Sequence, residues 1–502
     1  MKKINALIFA FLFSFLLPAA FAVDKVSTPP VQTQQAKNGV PEKSATFRGG
    51  SEGYDIVILM DCSGSMKKTD PESYRKPAAR LFISLLGEDD RIGIISFGDS
   101  AKVLAPLTEN TKKNRERLFG AINKITSKEF STNITDAVKK GFDGLKASSR
   151  KNRVLILMSD GKLALGSKEK DEAAFAELTG LLPEVAKSGI RLYSIAFTEM
   201  SDMKLLEDMA KATGGFFRLA KADKDFHVIF ASIFEKIKSP DTIPLEDDTF
   251  NIDKDISEAI LLISKQPGTS TTLIDPTKGK HTPTKYGKNI QWYETKVFDM
   301  ITIKEPAVGK WKVKLSTKEG NKVFVITDLG LKTSFDKGFV NKGDSIKIDA
   351  WLQREGVAIT EKDFLEQVLF SAEATAPDGK ATKLDLLDSG KSGDDKQGDG
   401  KYSAIFAVNA AGEYSIKIVA EGKTFKREKV LQFKAAEAPL QKIEKKAPAG
   451  KEIKKKDSSW GVVLMKFGII NLSLASAVVI ILLVRKVAAK SRTGVKKKGS
   501  KK

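Results

Sequence analysis

The chain has a single cysteine, Cys62, among 502 residues. No intrachain disulfide can form, so stability rests on packing or on bound metal. Histidine is almost as scarce, with only His227 and His281. That excludes a histidine-rich metal centre and leaves little material for general acid–base catalysis. His227 lies in an apolar helical run, Phe226-His227-Val228-Ile229-Phe230, which suits packing, and His281 lies in a polar loop. Aromatic residues make up 8% of the chain and do not interleave with its basic runs. The net charge of +21 therefore lacks the stacking partners of a nucleic-acid surface, and no nucleic acid is expected as partner. Much of that charge sits at the C-terminal end. Residues 485–502 hold nine Lys and Arg and no acid, and residues 435–459 hold seven lysines against four acids.

What is present begins with two apolar stretches. Met1-Lys2-Lys3, the run 6–20 and Ala20-Phe21-Ala22 read as a secretory signal over 1–22 with a cut after Ala22. A polar leader with Pro29, Pro30 and Pro41 follows over 23–50. The run 467–484 is about 27 Å long as a helix, enough for a bilayer core. Trp460 and Lys466 fit its outer boundary, so a transmembrane helix is expected over 460–484. Arg485 and Lys486 follow at once, which places the basic tail 485–502 in the cytoplasm. The reading is a single-pass type I membrane protein with its body in the periplasm or at the cell surface. Residues 435–459 form a charged stalk.

Between these ends the texture changes once. Over 51–240, aliphatic strand patterns at 55–60, 91–97, 153–158, 191–197 and 215–219 alternate with helical patterns at 71–86, 112–125, 134–145, 172–188 and 203–213. A final helix at 223–238 packs back on the sheet. Near-continuous aliphatic strands separated by amphipathic helices predict a doubly wound α/β domain. From 244 onward short strand patterns recur between prolines and glycines, which predicts two β-sandwich-like domains. The first spans 244–331. The second, an Ig-like domain, spans 332–434.

The chemistry-bearing residues cluster at predicted strand ends. Residues 54–60 run into Asp61-Cys62-Ser63-Gly64-Ser65. Alternation at spacing two turns Asp61, Ser63 and Ser65 to one side, and Cys62 away into the core. The polar loop Phe130-Ser131-Thr132-Asn133 offers the Thr132 hydroxyl, and the strand 154–158 ends in Ser159-Asp160-Gly161. All five side chains present hard oxygens, the ligand class of Mg²⁺, Mn²⁺ or Ca²⁺. In open α/β sheets, ligands bind beyond the carboxyl ends of the strands, which is where these residues fall.

In this order and on these elements, the Asp-x-Ser-x-Ser, the distant Thr and the strand-terminal Asp-Gly resemble the metal-ion-dependent adhesion site of von Willebrand factor A (VWA) domains. The resemblance covers about residues 54–238. It implies direct metal ligation by Ser63, Ser65 and Thr132, with Asp61 and Asp160 acting through water. One departure stands beside Thr132: the family often has Gly-Gly there, and this chain has Phe130-Ser131. Neutral hydroxyl ligands leave a metal electron-poor and ready for a carboxylate from a protein partner. With no base or nucleophile in view, an enzyme is not expected. The function expected is an extracytoplasmic, metal-dependent protein-binding or adhesion receptor, in the style of a bacterial membrane protein. The alternative is a membrane-complex subunit of the aerotolerance (Bat) type, working with a MoxR-class ATPase. Calcium-activated chloride channel regulators also join an A domain to β domains and resemble the chain in domain order, but the His-Glu-x-x-His signature is absent here. A weaker pattern lies in the second β domain, where Asp388, Asp394, Asp395 and Asp399 crowd a glycine-rich loop. It offers oxygens for a second, Ca²⁺-binding loop, and its lysines and glycines equally suit a solvated turn.

Overall fold

The structure is a computed structural model that describes residues 53–199 and 201–437. The expected signal, the leader, all but the start of the stalk, the apolar span and the basic tail lie outside the described residues. Within these, no helix is long and apolar enough to cross a membrane.

The first domain is an α/β layer structure. Its strands are β1 (Asp55–Asp61), β2 (Arg91–Phe97), β3 (Lys102–Glu109), β4 (Arg153–Ser159), β5 (Ile190–Ala196) and β6 (Phe216–Leu219), in the sheet order β3-β2-β1-β4-β5-β6. Every residue of β1 is buried, because helices cover both faces. The pleat sends Ile56, Ile58 and Met60 into one core and Val57 and Leu59 into the other. The helices are α1 (Met66–Thr69), α2 (Arg75–Leu85), α3 (Lys112–Asn123), α4 (Ile134–Lys146), α5 (Lys168–Lys187), α6 (Met203–Ala212) and α7 (Phe226–Lys238). The first core packs under α2, α3 and α7, the second under α4, α5 and α6. Gly141 of α4 allows the closest approach to the sheet. A Cβ there would lie 2.8 Å from a Leu155 methyl and 3.1 Å from a Leu59 methyl, so any larger residue would make those two side chains shift.

Two features depart from the sequence reading. The helix expected over 71–86 begins four residues later, as α2, and a separate four-residue helix, α1, precedes it. Asp70 ends α1, and its carboxylate accepts from Tyr74 N (2.6 Å) and Arg75 N (3.3 Å) where α2 begins. The strand β3 has no counterpart among the predicted elements. It is a partly exposed antiparallel edge whose register with β2 shifts twice, and it carries Pro106. An irregular edge with a proline lacks the aliphatic signature of a buried strand.

The remainder is β-rich: β7 (Asp241–Thr242), β8 (Thr249–Ile252), β9 (Ile256–Ser264), β10 (Thr272–Ile274), β11 (Lys280–His281), β12 (Ile290–Glu294), β13 (Phe298–Lys304), β14 (Gly309–Lys314) and β15 (Lys322–Thr327) form the first block. There the sheet β12-β13-β9-β15 faces the sheet β11-β10-β14-β8 across a core that includes Leu261, Ile263 and Trp311. The second block holds β16 (Leu329–Thr333), β17 (Phe339–Asn341), β18 (Ser345–Arg354), β19 (Val357–Ala358), α8 (Lys362–Leu365), β20 (Leu369–Thr375), β21 (Ala381–Leu384), β22 (Tyr402–Ala407), β23 (Gly412–Glu421) and β24 (Lys426–Ala436). The two blocks are not separate beads. The two-residue β7 pairs with β15 on one side and β24 on the other, so one ten-stranded sheet runs through both.

Helix α7 joins this β region to the α/β domain. Its Phe230 meets Phe82 of α2 at 5.4 Å between ring centroids. On the β side Phe234 meets Phe324 edge-on at 5.4 Å, and His227 stacks on Phe298 at 4.9 Å. A helix apolar on most of its circumference is one buried on two sides, and that is how 226–237 reads once both partners are known.

Candidate metal centre

The site sits where the sheet order reverses. From the central β1 the chain moves out to β2 and β3, then returns to β4 on the other side, leaving a crevice beyond the carboxyl ends of β1 and β4. Asp61 is the last residue of β1. Its Oδ1 accepts from Ser63 N at 2.7 Å and its Oδ2 from Ser159 Oγ at 2.7 Å. The Ser63 and Ser65 hydroxyls lie 2.9 Å apart, and Ser65 Oγ donates to Asp160 Oδ1 at 2.8 Å. Thr69 of α1 donates its hydroxyl to the other oxygen of Asp160. Thr132 comes in from the far side. Its main chain exchanges hydrogen bonds with Ala164 at 2.9 and 3.3 Å, and its hydroxyl lies so near Gly161 that a Cβ there would stand 3.2 Å away. Hydrogen bonds thus link Asp61, Ser63, Ser65 and Asp160, and the Thr132 hydroxyl stands against Gly161, next to Asp160.

Alternation brings in only part of this set. Ser63 is held as an isolated bridge to Glu129, and Ser65 already has helical backbone angles at the start of α1. A turn, not a strand, aims the second serine. Asp61, though at a strand end, is fully buried. The register explains this: Met60 pairs with Met158, so the next position, Asp61, lies beside Ser159 inside the sheet. Cys62 is buried in the core, as expected for a small apolar group.

The surrounding loops are braced by residues that sequence reasoning did not single out. Arg75, fully buried, pairs with Asp70 at 2.5 Å and donates to Thr126 O (3.0 Å) and Ser127 Oγ (2.9 Å). Glu129 N donates to Cys62 O at 3.0 Å, and Glu129 O accepts from Gly64 N at 2.7 Å. Asp99 accepts from Phe130 N (3.1 Å) and Ser131 N (2.8 Å), while Asn133 caps α4 by accepting from Asp136 N. An Asp-Gly strand end and an Asp after Gly98 were the available signals, but which carboxylate meets which loop depends on contacts distant in sequence.

Burial pushes the Asp61 carboxyl up to about 6, against the pull of its hydrogen bonds from Ser63 and Ser159, and Asp160 nearby adds to the rise. A buried anion facing a second carboxylate through hydroxyls is short of positive charge. The donor set therefore fits a hard divalent cation in both chemistry and charge.

The second candidate is only partly assembled. Asp388, Asp394 and Asp399 bring ligand atoms within 4.8 Å of one another. Asp395 does not join them; it is exposed and paired with Lys347 at 2.7 Å. The loop uses much of its own carboxylate capacity. Asp388 accepts from Gly398 N (2.5 Å) and Gly400 N (2.9 Å), and Asp394 accepts from Gly390 N (2.6 Å).

Residues 55–234 match the family model for the von Willebrand factor type A domain, and residues 339–432 match that for the conditioned medium factor second Ig-like domain. The chain therefore carries a VWA domain followed by a β-rich region that includes an Ig-like domain. Calcium-activated chloride channel regulator 1 of Mus musculus is 22% identical over 399 residues, covering 73% of this chain and 41% of that protein. The likeness to those regulators thus extends from domain order to sequence, while the chain spans about two fifths of their length. Among solved structures, a von Willebrand factor type A protein from Catenulispora acidiphila aligns with TM-score 0.34 and 14% identity, over 62% of this chain and 64% of that one. BatB from Bacteroides thetaiotaomicron aligns with TM-score 0.28 and 16% identity, over 36% of this chain and 97% of that one.

Proposed function

We propose that the VWA domain captures an acidic side chain of a partner protein through a divalent cation held by Ser63, Ser65 and Thr132. Asp61 holds Ser63 through its main-chain N–H, Asp160 holds the Ser65 hydroxyl, and both supply negative charge. The observation that carries this reading is the convergence of the Ser63, Ser65 and Asp160 oxygens over a buried Asp61. Mg²⁺ or Mn²⁺ bound there would supply a Lewis-acidic point for the partner's carboxylate. The domain itself does the positioning. The Asp61 carboxylate fixes Ser63 through its N–H, and Asp160 fixes Ser65 and Thr69 through their hydroxyls. The secretory-signal pattern over 1–22, the apolar run 467–484 and its positive flank support a body outside the membrane with the tail in the cytoplasm. The two β blocks then act as the spacer between membrane and site.

Calorimetric titration of the full chain in detergent with MgCl₂ and MnCl₂ tests the metal. One site in the wild type and none in Asp61→Asn is the expected result; equal heats in both would refute the centre. Asparagine is the variant of choice because it keeps the shape in a buried position. Metal-dependent recovery of partners then separates an external protein ligand from the sister subunits or ATPase of a Bat-type complex.

A further inference from the structure

Among the described large hydrophobic residues, Phe130 is by far the most exposed, at 97%; the others range from 44 to 71%. Isolated apolar residues on a surface are ordinary. Phe130 differs in where it stands and in how firmly it is held. It lies between Glu129, whose main chain bonds to Cys62 and Gly64 of the ligand loop, and Thr132, whose main chain bonds to Ala164. Its own N–H and that of Ser131 are both taken by Asp99. Glu129 is pinned further by Lys102 at 2.6 Å and by the Asp99 N–H at 2.7 Å. The backbone under the ring is fixed on both sides while the ring makes no intramolecular burial. Nothing in the stability of the domain calls for a phenylalanine here.

We propose that Phe130 is an apolar anchor beside the metal centre, and that the partner offers its carboxylate next to an apolar surface that covers this ring. The inference rests on the metal–carboxylate reading above and adds to it the chemistry surrounding the acid. With its backbone already held, Phe130 has only two side-chain torsions to lose on docking, and aromatic residues of this kind dominate interface energetics. A carboxylate carrying a small or polar neighbour would bind at the metal alone. One carrying an apolar arm would bind at the metal and the ring together.

The test uses two defined probes, acetate and 3-phenylpropionate, titrated into the Mn²⁺-loaded full chain, with water-proton relaxation reporting occupancy of the metal's open position. In the wild type the aryl carboxylate should bind roughly fivefold more tightly than acetate, the gain expected from covering part of one ring. Phe130→Ser and Phe130→Gly should abolish that preference and leave acetate affinity unchanged. Because the side chain is exposed, both variants are expected to fold. Equal affinities in the wild type, or a preference that survives Phe130→Gly, would overturn the role of Phe130 and leave the metal reading standing. If neither carboxylate binds to the metal-loaded protein, the reading beneath falls and this inference with it.

Discussion

Arg427 of β24 grips Asp253 of the preceding block with both terminal nitrogens, at 2.6 and 3.0 Å, and both residues are buried. The remaining donors are also spent, Nε on Leu329 O at 2.8 Å and Nη2 on Thr327 Oγ1 at 2.9 Å. This is a fully satisfied buried pair that ties the two β blocks together next to the strand they share.

Asp253→Ala should therefore lower stability by about 3–5 kcal/mol, because it strands a buried guanidinium without its counter-charge. Thermal melting is the measurement. The double variant Asp253→Leu with Arg427→Met should recover much of the loss, since removing both charges also removes their desolvation cost. A melting temperature unchanged in Asp253→Ala would show that water reaches the pair.

Acid should loosen the junction between α7 and the first β block. Burial pushes His227 down to about 4, and its Nε2 lies 2.7 Å from Ser264 Oγ. The folded value lies below the unfolded value of 6.5, so the neutral ring favours the fold. That contribution is complete above about pH 6.5 and is lost as pH falls through 4, amounting to about 3 kcal/mol. Denaturant midpoints between pH 7.5 and 4 should fall more steeply in the wild type than in His227→Leu. Parallel curves would mean the histidine does not carry the effect.

Gly161→Ala should weaken the metal centre with little effect on the fold. The added Cβ would sit 3.2 Å from the Thr132 hydroxyl and 3.4 Å from its methyl, pushing that ligand by a few tenths of an ångström. Mn²⁺ affinity, followed by electron paramagnetic resonance, should drop several-fold while the melting temperature of the metal-free protein stays within about 2 °C. Unaltered affinity would remove Thr132 from the ligand set.

Protease added to intact spheroplasts should digest the body and spare the lysine-rich tail 485–502. This follows from the cleavable pattern at Ala20-Phe21-Ala22 and the positive flank of the apolar run. A body protected from protease would reverse the topology.

The α/β domain was readable because its buried strands obey one simple rule. Residues 56–60 and 154–158 are apolar on both faces, and the helices between them carry apolar stripes. The β3 edge escaped because exposure and Pro106 erase that pattern. At the site, residue type and order were enough to bring Asp61, Ser63, Ser65, Thr132 and Asp160 together. Thr69 and Ser159 were not legible, since a helical turn and a neighbouring-strand register place them. Asp395 shows the opposite failure. Closeness in sequence suggested a shared loop site, whereas Lys347, 48 residues away, draws its carboxylate outward. The shared sheet was invisible for a related reason, because a two-residue strand such as β7 has no periodicity to read.

That two-residue strand changes how the body would respond to a pull. Tension between a captured partner and the chain following β24 would not stretch a linker between beads. It would load β24 in shear along its ten-residue ladder with β23, with β7 and the Arg427 pair taking part of the strain. Ladders loaded lengthwise must break many hydrogen bonds together, and helix α7, pressed between two layers, cannot peel away first. Drawing the two β blocks apart would then require this ladder, the β7 pairing and the Arg427 pair to yield together.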